Sequence, residues 1–147
     1  ERTGMVVLSD IGDLENIHPG NKTDAGKRLA AWALHHDYGF AEMPFSGPLF
    51  RSYEIENGKV ILHFDYANDG LTAREGELRE FEILDETGKW IDAKARIIDN
   101  RVEVDPKVEN PQGIRYAYSN DSNPNMFNTE GLPASCFEIH FNGINRE

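Results

Sequence analysis

The residues of this chain best suited to chemistry lie close together near its start, where His18 stands in the acidic loop Asp10-Ile11-Gly12-Asp13-Leu14-Glu15-Asn16-Ile17-His18-Pro19. A general base needs an imidazole held in one orientation, with one ring nitrogen bonded to a carboxylate and the other open to a nucleophile's proton. Asp13, five residues upstream, and Glu15, three upstream, can each supply that carboxylate if the loop folds back. Pro19 restricts the backbone of His18. Spacing alone leaves two readings open, a catalytic histidine or an ordinary polar loop. The remaining candidates read as structural. His35 and His36 close a helix without a third ligand, His63 and His140 sit in strands, and the lone Cys136 has no cysteine or histidine motif beside it. Residues 65–69 lack the acidic register and closing glutamate of a calcium loop and are expected to form a solvated turn. Trp32, Trp90, Tyr116 and Tyr118 could line a sugar platform, but aromatic residues in strands usually fill cores, and Trp90 and Tyr116 are assigned there. No cofactor or metal is expected.

The elements that must position His18 form a strand, a loop and a helix. Met5-Val6-Val7-Leu8 is a continuous apolar run, and a helix is expected over about residues 21–36. Asn21 or Thr23 can cap its N-terminus, Asp24 suits the positive end of its dipole, and Gly39 is a stop signal. Ala25, Leu29, Trp32, Ala33 and His36 fall on one stripe at three- and four-residue spacings. One apolar strand followed by an amphipathic helix looks like the edge of a parallel α/β sheet whose other strands are missing.

From Gly47 the texture changes to short β-branched and aromatic segments separated by turn signals. Strands are expected at 49–55, 59–66, 81–84, 90–98, 101–104, 114–118 and 137–141. Asn57-Gly58 is the strongest hairpin signal, because both central positions of a type I′ turn need positive φ. Val60, Leu62 and Phe64 alternate with Ile61, His63 and Asp65, and Ala93, Ala95 and Ile97 with Asp92, Lys94 and Arg96, so each set presents one face to a core. Strands at this frequency without helices predict an antiparallel β-sandwich. Residues 119–133, rich in Asn, Pro and Gly, are expected to form a long ordered loop.

Composition bounds the partners. Fifteen basic against 26 acidic residues give a formal charge of −11 over 147 residues, which argues against a face for phosphate backbones. No apolar run reaches the roughly 18 to 20 residues that span a bilayer, so neither nucleic acid nor membrane is expected as a partner. The sequence opens Glu1-Arg2-Thr3-Gly4 without an initiator methionine, as though in the middle of a longer chain.

Three stretches carry a family resemblance. Asp10-Ile11-Gly12-Asp13, Ile17-His18-Pro19, Asn21-Lys22, Gly26 with Arg28-Leu29-Ala30, and Ala33-Leu34 through Tyr38-Gly39 resemble the end of the catalytic domain of the sialate O-acetylesterase family, among the SGNH (GDSL-like) hydrolases. Gly88 and Trp90 with Ala93 and Ala95, then Ile114-Arg115-Tyr116-Ala117-Tyr118-Ser119-Asn120, resemble that family's following β-domain. Asn128-Thr129-Glu130-Gly131-Leu132-Pro133-Ala134-Ser135 with Phe137 resembles its closing loop. Together they run from Met5 to about Phe137.

The resemblance implies residues 1–46 as the terminal strand-loop-helix of an SGNH (flavodoxin-like) α/β domain and 47–147 as an antiparallel β-sandwich accessory domain. It further implies a serine carbohydrate esterase removing O-acetyl groups from sialic acids or acetylated polysaccharides, in a secreted or periplasmic setting. His18 would be the general base of a Ser-His-acid triad, with Asp13 the first candidate for the acid, Glu15 the second, and Asp10 structural. The family's serine block and oxyanion-hole blocks do not occur here, and Ser46 before Gly47-Pro48 belongs to a linker. The chain alone is therefore expected to be inactive and to pair with an N-terminal catalytic fragment that carries the serine. The competing reading is a non-catalytic carbohydrate-binding or structural β-sandwich module.

Overall fold

The computed structural model describes residues 3–141, so the outer ends of the expected domains, residues 1–2 and 142–147, lie outside the described residues. A 3-10 turn, Ser9–Ile11, precedes the helix α1, Lys22–Asp37. Ten strands follow, all paired antiparallel: β1 (Leu49–Glu56), β2 (Lys59–Asp65), β3 (Leu71–Ala73), β4 (Phe81–Leu84), β5 (Trp90–Asp92), β6 (Lys94–Ile98), β7 (Arg101–Asp105), β8 (Gly113–Tyr116), β9 (Met126–Asn128) and β10 (Phe137–His140). They form two four-stranded sheets, ordered β1-β2-β7-β6 and β10-β8-β4-β5, and a two-stranded sheet of β3 and β9.

Both four-stranded sheets feed one hydrophobic cluster. Val60, Leu62 and Phe64 enter from β2 and Val102 and Val104 from β7, while Phe81 and Ile83 of β4 and Ile114 and Tyr116 of β8 enter from the other sheet. For Val60, Leu62 and Phe64 this is the period-2 alternation read from the sequence, and burying such side chains stabilises by roughly 1.5–3 kcal/mol each. Phe50 and Phe137 stack across it at 5.0 Å. The β1–β2 hairpin turns at Asn57 and Gly58 with φ of 50° and 76°, the paired positive values of a type I′ turn.

Two expectations are corrected, and a third is not met within the described residues. The single strand expected over 90–98 breaks at Ala93, where the chain leaves one sheet for the other; Ala93 N–H donates to Phe81 O at 2.9 Å before β6 pairs with β7. Alternation continues unbroken through that exchange, so periodicity cannot reveal it. The loop expected over 119–133 contains β9, buried at all three positions, because β3 supplies a partner that the turn-rich composition conceals. Met5–Leu8, read as a strand, carries no strand pairing among the described residues; a strand exists only through a neighbour's hydrogen bonds, and no described residue provides them.

Helix α1 forms where its caps place it. Asn21 Oδ1 accepts Asp24 N–H at 3.1 Å and Asn21 Nδ2 donates to Asp24 Oδ2 at 2.8 Å. That side-chain bond, ahead of Lys27 and Arg28, lowers the Asp24 pKa from its ordinary value, against opposing desolvation. At the other end Gly39 has φ of 78°. No residue of α1 is buried, and Leu29 of its apolar stripe is 55% exposed. The helix meets the sheets through rings: Trp32 stacks on His36 at 4.0 Å, His35 lies 4.1 Å from Phe45, and Phe45 meets Tyr66, just beyond β2, at 5.2 Å. No helix among the described residues is long and apolar enough to cross a membrane.

Candidate active site

The loop carrying His18 hangs between two anchors on α1. At its start Arg28 donates from Nη1 and Nη2 to the two carboxylate oxygens of Asp10, at 2.6 and 2.7 Å, and from Nη1 to Val7 O at 2.6 Å. Both side chains are nearly buried, 10% and 7% exposed. A guanidinium offers the planar fork that such a carboxylate needs. Both Asp10 oxygens are engaged by Arg28. At the loop's far end stands the Asn21 cap.

Between the anchors the loop is held by short side-chain turns. Asp13 Oδ1 accepts Glu15 N–H at 3.0 Å, and Asn16 Oδ1 accepts His18 N–H at 2.9 Å. These Asx turns satisfy backbone donors that would otherwise face water. His18, Asp13 and Glu15 are all exposed and share this one loop, together with Leu14 and Ile17, which are 72% and 90% exposed. Among the described residues no hydrogen bond joins the His18 ring to Asp13 or Glu15. The structure brings the three residues into one loop and does not join them into a dyad. Asp13 has committed one oxygen to the loop backbone and keeps Oδ2 open.

The other candidates are placed as follows. His63 Nε2 contacts Glu54 Oε1 at 2.8 Å, and His140 Nε2 contacts Glu138 Oε1 at 3.2 Å. His35 Nδ1 lies 3.1 Å from Met43 O, and Cys136 is exposed with a free thiol. Of the four aromatic residues weighed as a sugar platform, Tyr116 is fully buried and Trp32 belongs to the ring cluster. Trp90 and Tyr118 flank the guanidinium of Arg115, at 4.5 and 5.5 Å. Arg115 is itself paired with Glu82 at 2.7 Å. Residues 67–70 close a turn through Gly70 N–H to Ala67 O, 3.0 Å.

Two residues essential to this geometry were missed by the sequence reading. Arg28 counted only as part of a resemblance, and its spacing of 18 residues from Asp10 carries no local signal. Asn128 appeared in a turn-rich stretch, yet it is 3% exposed and ties the linker to the sheets: Nδ2 donates to Ser46 O and Tyr66 O, both at 3.1 Å, and Oδ1 accepts Leu132 N–H at 2.8 Å. Beside it a cavity of about 130 Å³ lies between the N-terminal segment, α1 and the sheets, lined by Val7, Arg28, Trp32, Phe45, Tyr66 and Pro133 among others.

Fold and site together define, among the described residues, a β-rich antiparallel chain with one α-helix that presents a histidine-bearing acidic loop. The chain is similar to the crystal structure of a novel carbohydrate acetylesterase from Xanthomonas citri, with 36% sequence identity and a TM-score of 0.81. The match covers 88% of this chain and 31% of that one, so the chain spans about a third of that enzyme's length. This likeness relates the chain to carbohydrate esterases. No protein-family model matches the chain, and no curated protein does.

Proposed function

We propose that this chain is part of a serine carbohydrate esterase that removes O-acetyl groups from sialic acids or acetylated polysaccharides. The observation that carries the reading is the likeness, at 36% identity, to a carbohydrate acetylesterase of which the chain spans 31%. In this reading residues 1–46 end a catalytic α/β domain, 47–147 form a β-sandwich accessory domain, and the nucleophilic serine comes from residues outside this chain. His18 takes the serine proton as the acyl carbon is attacked, returns it to the departing sugar oxygen, and then activates the water that releases acetate from the acyl-serine. Asp13, with Oδ2 open, orients the imidazole, and Glu15 is the second candidate. The exposed Met5, Leu14, Ile17 and Leu29 offer apolar surface for the serine-bearing part, since exposed apolar surface favours a partner. Joining that part would close the His18–carboxylate contact, as catalytic hydrogen bonds often tighten only in the complete site. The setting would be secreted or periplasmic.

The test is His18→Ala in the complete protein, with acetyl release as the readout. Turnover should fall by roughly 10³ to 10⁶; near-normal release would refute the assignment. The unbonded ring of His18 favours one alternative, a non-catalytic carbohydrate-binding or structural module. Glycan binding by this chain, with activity indifferent to His18, would establish that alternative.

A further inference from the structure

We propose that Arg28 is a positioning residue for His18, acting through Asp10; the proposal rests on the reading of His18 as a general base. The His18 loop is attached at two points. Its first anchor is the Asp10–Arg28 pair and its second is Asn21, which begins the helix that carries Arg28. Seven helical positions separate Asn21 from Arg28, about 10 Å along the axis. The ten residues 11–20 joining the anchors could span about 33 Å if extended, so the chain between them is slack and forms an arch, exposed from Gly12 to His18. His18 stands on that arch.

Among the described residues, the hydrogen bonds of residues 12–20 are local: Glu15 N–H to Asp13, His18 N–H to Asn16, and Lys22 N–H to Gly20 O. No sheet residue holds the arch by a hydrogen bond. Its position relative to the helix is therefore set by its two ends, and only the Arg28 end is long-range. Arg28 also bonds Val7 O, fixing the chain on the N-terminal side of the loop, and lines the cavity together with Trp32 and Phe45. One guanidinium thus ties the segment before the loop, the loop's first turn and the helix together. A lysine keeps the charge but cannot make the two parallel bonds to Asp10 and the third to Val7. General-base catalysis is sensitive to small misplacement, and about 1 Å can cost roughly 100-fold in rate.

The experiment compares Arg28→Lys, Asp10→Asn and His18→Ala in the complete protein with p-nitrophenyl acetate as substrate. kcat is expressed per reactive serine, counted by labelling to completion with a fluorophosphonate. Arg28→Lys and Asp10→Asn are each expected to lower kcat at least about 10-fold with KM within about threefold. The double variant should be no worse than the more damaging single one, because both remove the same clamp. Circular dichroism identifies the folded variants, and either single change suffices if the other does not fold. Wild-type kcat per serine in a folded Arg28→Lys or Asp10→Asn protein, with His18→Ala inactive, overturns the positioning role alone. Full activity of His18→Ala overturns the general-base reading, and the positioning role with it.

Discussion

Replacing Asn128 by Asp turns one donor into an acceptor at almost constant volume, which makes it a direct test of how the linker is held. The Nδ2 group donates to Ser46 O and Tyr66 O at 3.1 Å each, while Oδ1 accepts Leu132 N–H at 2.8 Å. Asn128→Asp keeps the last bond and converts the other two into oxygen–oxygen contacts in a site only 3% exposed. A fully buried polar group left without a partner costs about 1–3 kcal/mol; these two bonds are part-buried, so the pair together loses about 1–3 kcal/mol. Tyr66 adds to the consequence, because its carbonyl bond helps to hold a non-glycine residue at φ of 58°, a conformation that is itself unfavourable. The assay is urea unfolding followed by the fluorescence of Trp32 and Trp90, comparing midpoints at constant slope. A carboxyl facing two carbonyl oxygens has its folded pKa raised above the unfolded value. The stability it contributes is present below the unfolded pKa and lost as pH rises through the folded one, so the defect should shrink on acidification, when the neutral carboxyl donates one bond. Stability within about 0.5 kcal/mol of wild type at neutral pH would refute the reasoning, since surface changes fall in that range.

Two further predictions follow from the sheets. Tyr116 accepts Met126 N–H at 3.0 Å in the core, and burial pushes its hydroxyl from 10.0 up to about 12. Tyr116→Phe should cost about 1–3 kcal/mol at neutral pH. The raised pKa adds stability below the unfolded value that is lost as pH climbs through about 12, worth up to about 2–3 kcal/mol. The variant should lack this alkaline loss in denaturation curves, and an identical slope in both proteins would contradict it. A Cβ on Gly47 would lie 1.9 Å from Pro133 O and 2.6 Å from Pro133 C. Because backbone cannot step aside as a side chain can, Gly47→Ala should cost about 3 kcal/mol or more; a melting temperature equal to wild type would show that the junction yields.

The chain's local rules account for much of the fold. Asn21 marks the start of α1 through its own side chain, Asn57-Gly58 turns the first hairpin, and the alternation of Val60, Leu62 and Phe64 puts those residues in the core. Each is a property of a few adjacent residues, and so each can be read in order along the sequence. His18 stood out as a candidate on the same local grounds, an imidazole beside carboxylates and before a proline, while its catalytic role rests on the resemblance.

What tertiary structure decided is a matter of partners distant in sequence. Ala93 changes sheets because Phe81 O is there to receive its N–H, and Met126–Asn128 becomes a strand because Leu71–Ala73 lies alongside. Arg28 and Asp10 are separated by 18 positions and Asn128 and Ser46 by 82, distances over which no periodicity or cap signal extends. By itself the sequence determined which short segments turn, coil or alternate, because those preferences are local. Which carboxylate Arg28 would bind, and hence how the His18 loop is hung from its helix, was decided only when the folded chain closed those long separations.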